Sequence, residues 1–97
     1  MPPTSTPVTF ASVLQRSADV LYQEVGGEAV LLDLVSEQYF GLDPVGTRIW
    51  GLVDGEATLG SIHATLAVEY DADPGQIGED LLSLAQSLAQ AGLVRER

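Results

Sequence analysis

At 97 residues, 45% hydrophobic and 19% charged, the chain has room for one domain with one core and lies outside the composition range of disordered proteins. Fourteen acidic residues against four basic ones give a net charge of −10, and the four are arginines (Arg16, Arg48, Arg95, Arg97), too few to displace counterions from a polyphosphate. With no cysteine there is no disulfide, no thiolate metal site and no cysteine nucleophile.

The first residues, Met1 to Pro7, are rich in Pro, Ser and Thr and have neither a basic start nor an apolar stretch. They read as a flexible tail (1–7) before a domain at 8–97, not as a secretory signal. No apolar run approaches the ~20 residues of a membrane span, so a cytoplasmic protein is expected. Val8 to Leu14 fits either a strand or a short turn. Val20 to Val25 and Ala29 to Val35 are strand-like runs around Gly26-Gly27, the signature of a β-hairpin. A second turn at Ser36-Glu37 leads to a third, edge strand, Gln38 to Leu42.

Asp43-Pro44 changes the pattern, because Asp is a good N-cap and Pro suits the first helical position. That helix is expected to end at Asp54-Gly55, with Val45, Ile49 and Leu52 or Val53 on one face beside Trp50. Thr58 caps a second helix, about Leu59 to Glu69, with Leu59, Ile62, Leu66 and Tyr70 at helical spacing. Asp73-Pro74 starts a third, reaching about Ala91, whose Ile77, Leu81, Leu84 and Leu88 make an apolar stripe. Gly92-Leu93 is a stop of the Schellman kind. Three strands followed by three helices mean an α+β fold with helices packed on one face of a three-stranded antiparallel sheet.

The chemistry-bearing residues form no catalytic constellation. His63, the only histidine, sits mid-helix without a nucleophile elbow and reads as a structural residue. The acidic stretch Asp71 to Asp80 fails as a calcium loop, since its sixth position is Gln76 and its twelfth Leu82. A phosphate loop needs a lysine, which the chain lacks. A peptidyl or acyl carrier would attach its arm at an Asp-Ser-Leu site; Asp80-Leu-Leu-Ser83-Leu84 lacks the adjacent pair. A winged-helix nucleic-acid binder conflicts with the charge. The reading is a non-enzymatic binding domain needing no metal or cofactor, whose acidic surface favours a partly basic peptide or protein partner. The short aromatic strand Gln38 to Leu42 offers an edge to which an extended peptide can add.

Four stretches carry a resemblance: GGEAVLLDL (26–34), YFGLDPVGTRIW (39–50), DGEATLGSI (54–62) and IGEDLLSLAQSLAQAGLV (77–94). Together they make Val20 to Val94 similar to the PqqD-like family, the recognition elements of ribosomally made, modified peptide pathways. The resemblance implies a winged helix-turn-helix-like fold. It also implies binding of a precursor peptide's N-terminal leader in a groove between the third strand and the third helix. Carried onto this chain, the strand side is Gln38, Tyr39, Phe40, Gly41 and Leu42, with Phe40 and Leu42 facing the helix by two-residue alternation. The helix side is Ile77, Asp80, Leu81 and Leu84, Asp80 matching a position often acidic in the family and placed to pair with a basic leader residue. The implied partners are the leader and a processing enzyme. The YFGLD strand most resembles stand-alone domains of lasso-peptide clusters, where a leader peptidase cuts the precursor. The alternative is a chaperone of pyrroloquinoline quinone assembly, a branch whose second turn is typically shorter than Leu34 to Gln38.

Overall fold

The computed structural model describes residues 8–97; the tail expected at residues 1–7 lies outside them. The chain order is β1 (Leu14–Arg16), β2 (Val20–Val25), β3 (Glu28–Asp33), β4 (Gln38–Leu42), α1 (Pro44–Leu52), α2 (Leu59–Glu69), α3 (Pro74–Gln90) and β5 (Val94–Glu96). β2, β3 and β4 form one antiparallel sheet in that order, so β2 and β4 are its edges. The β2–β3 turn closes on Gly26 and Gly27 with φ of +63° and +84°, the left-handed pair a type I′ hairpin turn demands.

Each helix begins as its cap residue dictates. Asp43 accepts from the Gly46 N–H at 2.7 Å, Thr58 from Ser61 at 3.1 Å and Asp73 from Gly75 at 3.1 Å, with Pro44 and Pro74 in the first turns behind two of these caps. α3 ends in a full Schellman closure: Leu93 N–H reaches the Leu88 carbonyl at 3.0 Å, Gly92 N–H reaches Ala89 at 3.1 Å, and Gly92 has φ +80°. Leu93 is thereby folded back into the core, fully buried with Leu14, Leu31, Leu59, Leu66 and Leu81.

The stretch Val8 to Leu14, ambiguous in sequence, buries Val8, Ser12 and Leu14. Val8 is buried and its N–H reaches Gln86 Oε1 at 3.0 Å. β1 pairs antiparallel with β5, Leu14 opposite Glu96 and Arg16 opposite Val94. The segment containing Arg95 is thus a strand that sequence patterning does not reveal. His63 is half-buried, its ring stacked on Phe10 at 5.1 Å and its Nε2 donating to the Pro74 carbonyl at 2.7 Å. It ties the start of α3 to α2 and to residue 10, a structural role.

Because Leu93 is fully buried and Val68 is 87% exposed on α2, alanine at each should have opposite consequences. Leu93→Ala should lose about 2–5 kcal/mol in urea unfolding, and Val68→Ala less than ~0.5 kcal/mol. Equal losses would mean that Leu93 is not a core residue.

Candidate functional site

The free edge of β4 and the flank of α3 face one another across a groove whose floor is α1. The register aligns Phe40 with Leu31 and Leu42 with Ala29. Cross-strand partners share a face, so Phe40 and Leu42 point inward with two buried β3 residues. Leu42 is buried and Phe40 half-buried against the core. Tyr39 points the other way and is 71% exposed. On that outer face it joins Leu21, Val30 and Leu32 around a shallow depression.

On α3 the apolar stripe divides. Gly78, Leu81, Ala85 and Leu88 are buried and face the core, whereas Ile77 and Leu84 are only half-buried and Asp80 is exposed. Leu81 is therefore part of the interior, while Ile77, Asp80 and Leu84 form the flank. A cavity of about 550 Å³ opens between this flank and the end of β4, lined by Gly41, Leu42, Asp43, Val45, Gly46, Ile49, Asp80 and Leu84. Of the residues expected from sequence, it brings together Gly41, Leu42, Asp80 and Leu84. Gln38, Tyr39, Phe40 and Ile77 lie farther along the strand and helix. The contribution of α1 was missed. Helical spacing put Val45 on one face with Ile49, and both line the cavity, Val45 being 37% exposed.

Two local devices fix the edge strand. At its start, the Asp33 carboxylate accepts from the Val35 N–H and the Ser36 hydroxyl, both at 3.0 Å. The backbone closes from Glu37 N–H to the Asp33 carbonyl at 2.7 Å, with Glu37 at φ +61°. At its end, the buried Thr47 hydroxyl accepts from the Ala29 N–H at 2.8 Å and donates to the Leu42 carbonyl at 3.4 Å. It links the paired residues Ala29 and Leu42 and pins α1 beneath them. Among the described residues no group of three or more His, Asp or Glu is placed to hold a metal ion, and no helix is long and apolar enough to cross a membrane.

An antiparallel sheet with three helices and one unpaired edge beside a helix-walled groove defines an α+β domain of the winged-helix type. The family profile "Coenzyme PQQ synthesis protein D (PqqD)" matches residues 28–94, and the chain belongs to that family. The "PqqA binding protein" of Rhodopseudomonas palustris strain HaA2 is 32% identical over 84 residues, covering 87% of this chain and 80% of its own. Among solved structures, "TbiB1 in Complex with the TbiA(beta) Leader Peptide" superposes with a TM-score of 0.76 at 34% identity, covering 82% of this chain and 93% of that one. "Lasso peptide synthetase B1 complexed with the leader peptide", at 20% identity and TM-score 0.75, covers 84% of this chain and 96% of that one and shares the fold.

Two measurements check the devices that hold β4. Thr47→Val keeps the shape but strands the buried Ala29 N–H, so it should lose about 1–3 kcal/mol in urea unfolding. A neutral result would mean that the hydroxyl does not organise the joint. The Val35 N–H, foremost, and the Ser36 hydroxyl hold the Asp33 carboxyl below its ordinary value of 3.8. A depressed carboxylate stabilises the fold above that ordinary value, and the contribution disappears as pH falls through the lowered one. The melting-temperature gap between wild type and Asp33→Asn should therefore be full at pH 6 and narrow steadily below about pH 4. A gap independent of pH would contradict the assignment.

Proposed function

We propose that this protein binds the N-terminal leader of a ribosomally made precursor peptide as an added strand on β4 and presents it to a processing enzyme. The observation that carries the reading is the unpaired β4 edge running beside the cavity shared with α1 and α3. An open edge recognises any extended backbone, and the pocket beside it supplies side-chain selectivity. The relative at 34% identity, solved with a leader peptide, supports the same reading. β2 is also an edge, but the cavity at its side is about 310 Å³ and is lined by Arg48, Tyr70 and Glu24 rather than an apolar flank.

Peptide-contacting roles are assigned to Gln38, Tyr39, Phe40, Gly41 and Leu42 on the strand and to Ile77, Asp80 and Leu84 on the helix. Leu81 acts from behind, as packing under that flank. A disordered leader gives up chain entropy on binding, so a few anchors must supply the affinity; half-buried Phe40 and Leu84, beside buried Leu42, suit that task. The function requires no catalytic group or cofactor on this chain, and its place is the cytoplasm, where the precursor is made. The processing enzyme is assigned to the outer sheet face, where Leu21, Val30 and Tyr39 are apolar and exposed; patches of this kind mark protein contacts. An added leader strand would extend that same face and bring substrate and enzyme together.

A lasso-type pathway with a leader peptidase is the favoured setting, on the resemblance carried by the YFGLD strand at 39–43. Pyrroloquinoline quinone assembly is the second, supported by the PqqA-binding relatives. In either setting the β4 groove of this chain would hold the leader. Titration of isotope-labelled protein with a precursor leader peptide should shift amides at 38–42 and 77–84. Asp80→Lys should weaken binding while the spectrum of the free protein stays folded. Shifts confined to residues 54–70 would refute the groove.

A further inference from the structure

We infer that the cavity at the α1 end of the groove is a subsite for one arginine or lysine of the bound peptide, gripped by its aliphatic stem as much as by its charge. The inference rests on the leader-binding reading and adds to it the chemistry of one side chain.

The walls of the cavity are of two kinds. Leu42, Val45, Ile49 and Leu84 are apolar, while Asp43 and Asp80 bring two carboxylates. No cation lines it. Each carboxylate has one oxygen already engaged: Asp43 Oδ1 accepts from the Gly46 N–H at 2.7 Å, and Asp80 Oδ1 from Gln76 Nε2 at 3.0 Å. These bonds orient both groups, and among the described residues the second oxygen of each has no donor from the chain.

The chain's own cations are committed elsewhere. Arg16 lies over the Trp50 ring at 4.9 Å and bonds the Trp50 carbonyl. Arg48 pairs with Glu69 at 2.6 Å, and Arg97 bonds the Gly55 carbonyl. Arg95 lines a different cavity, with Gln15 and Gly92. No arginine of the chain lines this cavity, and Asp43 and Asp80 are exposed, so both carboxylates are open to a partner's cation.

Tyr and Trp also join an apolar body to a donor, but Arg and Lys add the full positive charge that two carboxylates attract. Their methylene stems lie along apolar surface while the charged head reaches a polar rim. A purely apolar residue would fill the space but cover two carboxylates without giving them a donor. An acidic residue would meet like charge. The N-terminus of α1 offsets part of the Asp43 charge, so Asp80 carries at least an equal share of the attraction.

The subsite can be tested with peptides of random sequence. A phage-displayed library of random dodecapeptides is panned on the full chain, and peptides that shift the β4 amides by NMR are retained. Their affinity is then measured for wild type, for Asp43→Asn/Asp80→Asn and for the exposed control Glu56→Gln. Asparagine keeps the helix cap and the acceptor for Gln76, and circular dichroism verifies the fold. Retained peptides should share a Lys or Arg at one position. The double variant should bind them roughly tenfold more weakly, since each rim pair contributes up to ~1 kcal/mol, with a shallower salt dependence, and Glu56→Gln should be unchanged. Retained peptides without a shared basic residue, or equal affinity for the double variant, would overturn the subsite while leaving the groove standing. If no peptide perturbs β4, the leader-binding reading falls and the subsite with it.

Discussion

The groove depends on the joint where β4 becomes α1. Within six residues, Leu42 to Thr47, the chain leaves the sheet, caps a helix with Asp43, sets its first turn with Pro44 and returns the Thr47 hydroxyl to the sheet it has just left. A buried backbone N–H without an acceptor costs more than a hydrogen bond gains, so the Ala29 donor holds Thr47 in place. Because the hydroxyl also faces the Leu42 carbonyl, the helix is fixed at one height beneath the strand. Val45 and Ile49 then become floor for the groove, with α1 in contact with β4 on one side and α3 on the other.

That arrangement answers a general difficulty of sheets. An unpaired edge invites association with any exposed strand, and this sheet has two. β4 is short, five residues, and is flanked by Asp43 and Asp80. With a net charge of −10, two copies repel as they approach, whereas a chain carrying basic residues is drawn in. The same charge works against self-association and favours a basic partner.

Much of this was legible in the sequence because the signals are local. Gly26-Gly27, Asp43-Pro44, Thr58, Asp73-Pro74 and Gly92 each act through the backbone of their immediate neighbours, and the elements follow them closely. β1 and β5 were not legible: three residues are too short to show alternation, and their pairing joins positions about 80 apart in the chain. The site was partly legible for a similar reason. Two-residue alternation puts Phe40 and Leu42 on the inner face, but a helical stripe does not say which flank meets the core and which meets a groove. Thus Leu81 is interior, and Val45, which spacing puts on one face with Ile49, lines the cavity with it. The resemblance supplied the strand and α3; the wall made by α1 emerges only from packing.

The central claim is that a leader adds to β4 as a fourth strand. Amide hydrogen exchange, with and without a bound precursor leader peptide, tests it most directly, since new ladder bonds protect the donors that make them. Alternate amides of Gln38–Leu42 should become markedly slower to exchange while those of the other edge, Val20–Val25, stay as they were. Protection at Val20–Val25 with none at Gln38–Leu42, or binding without protection at either edge, would contradict the account.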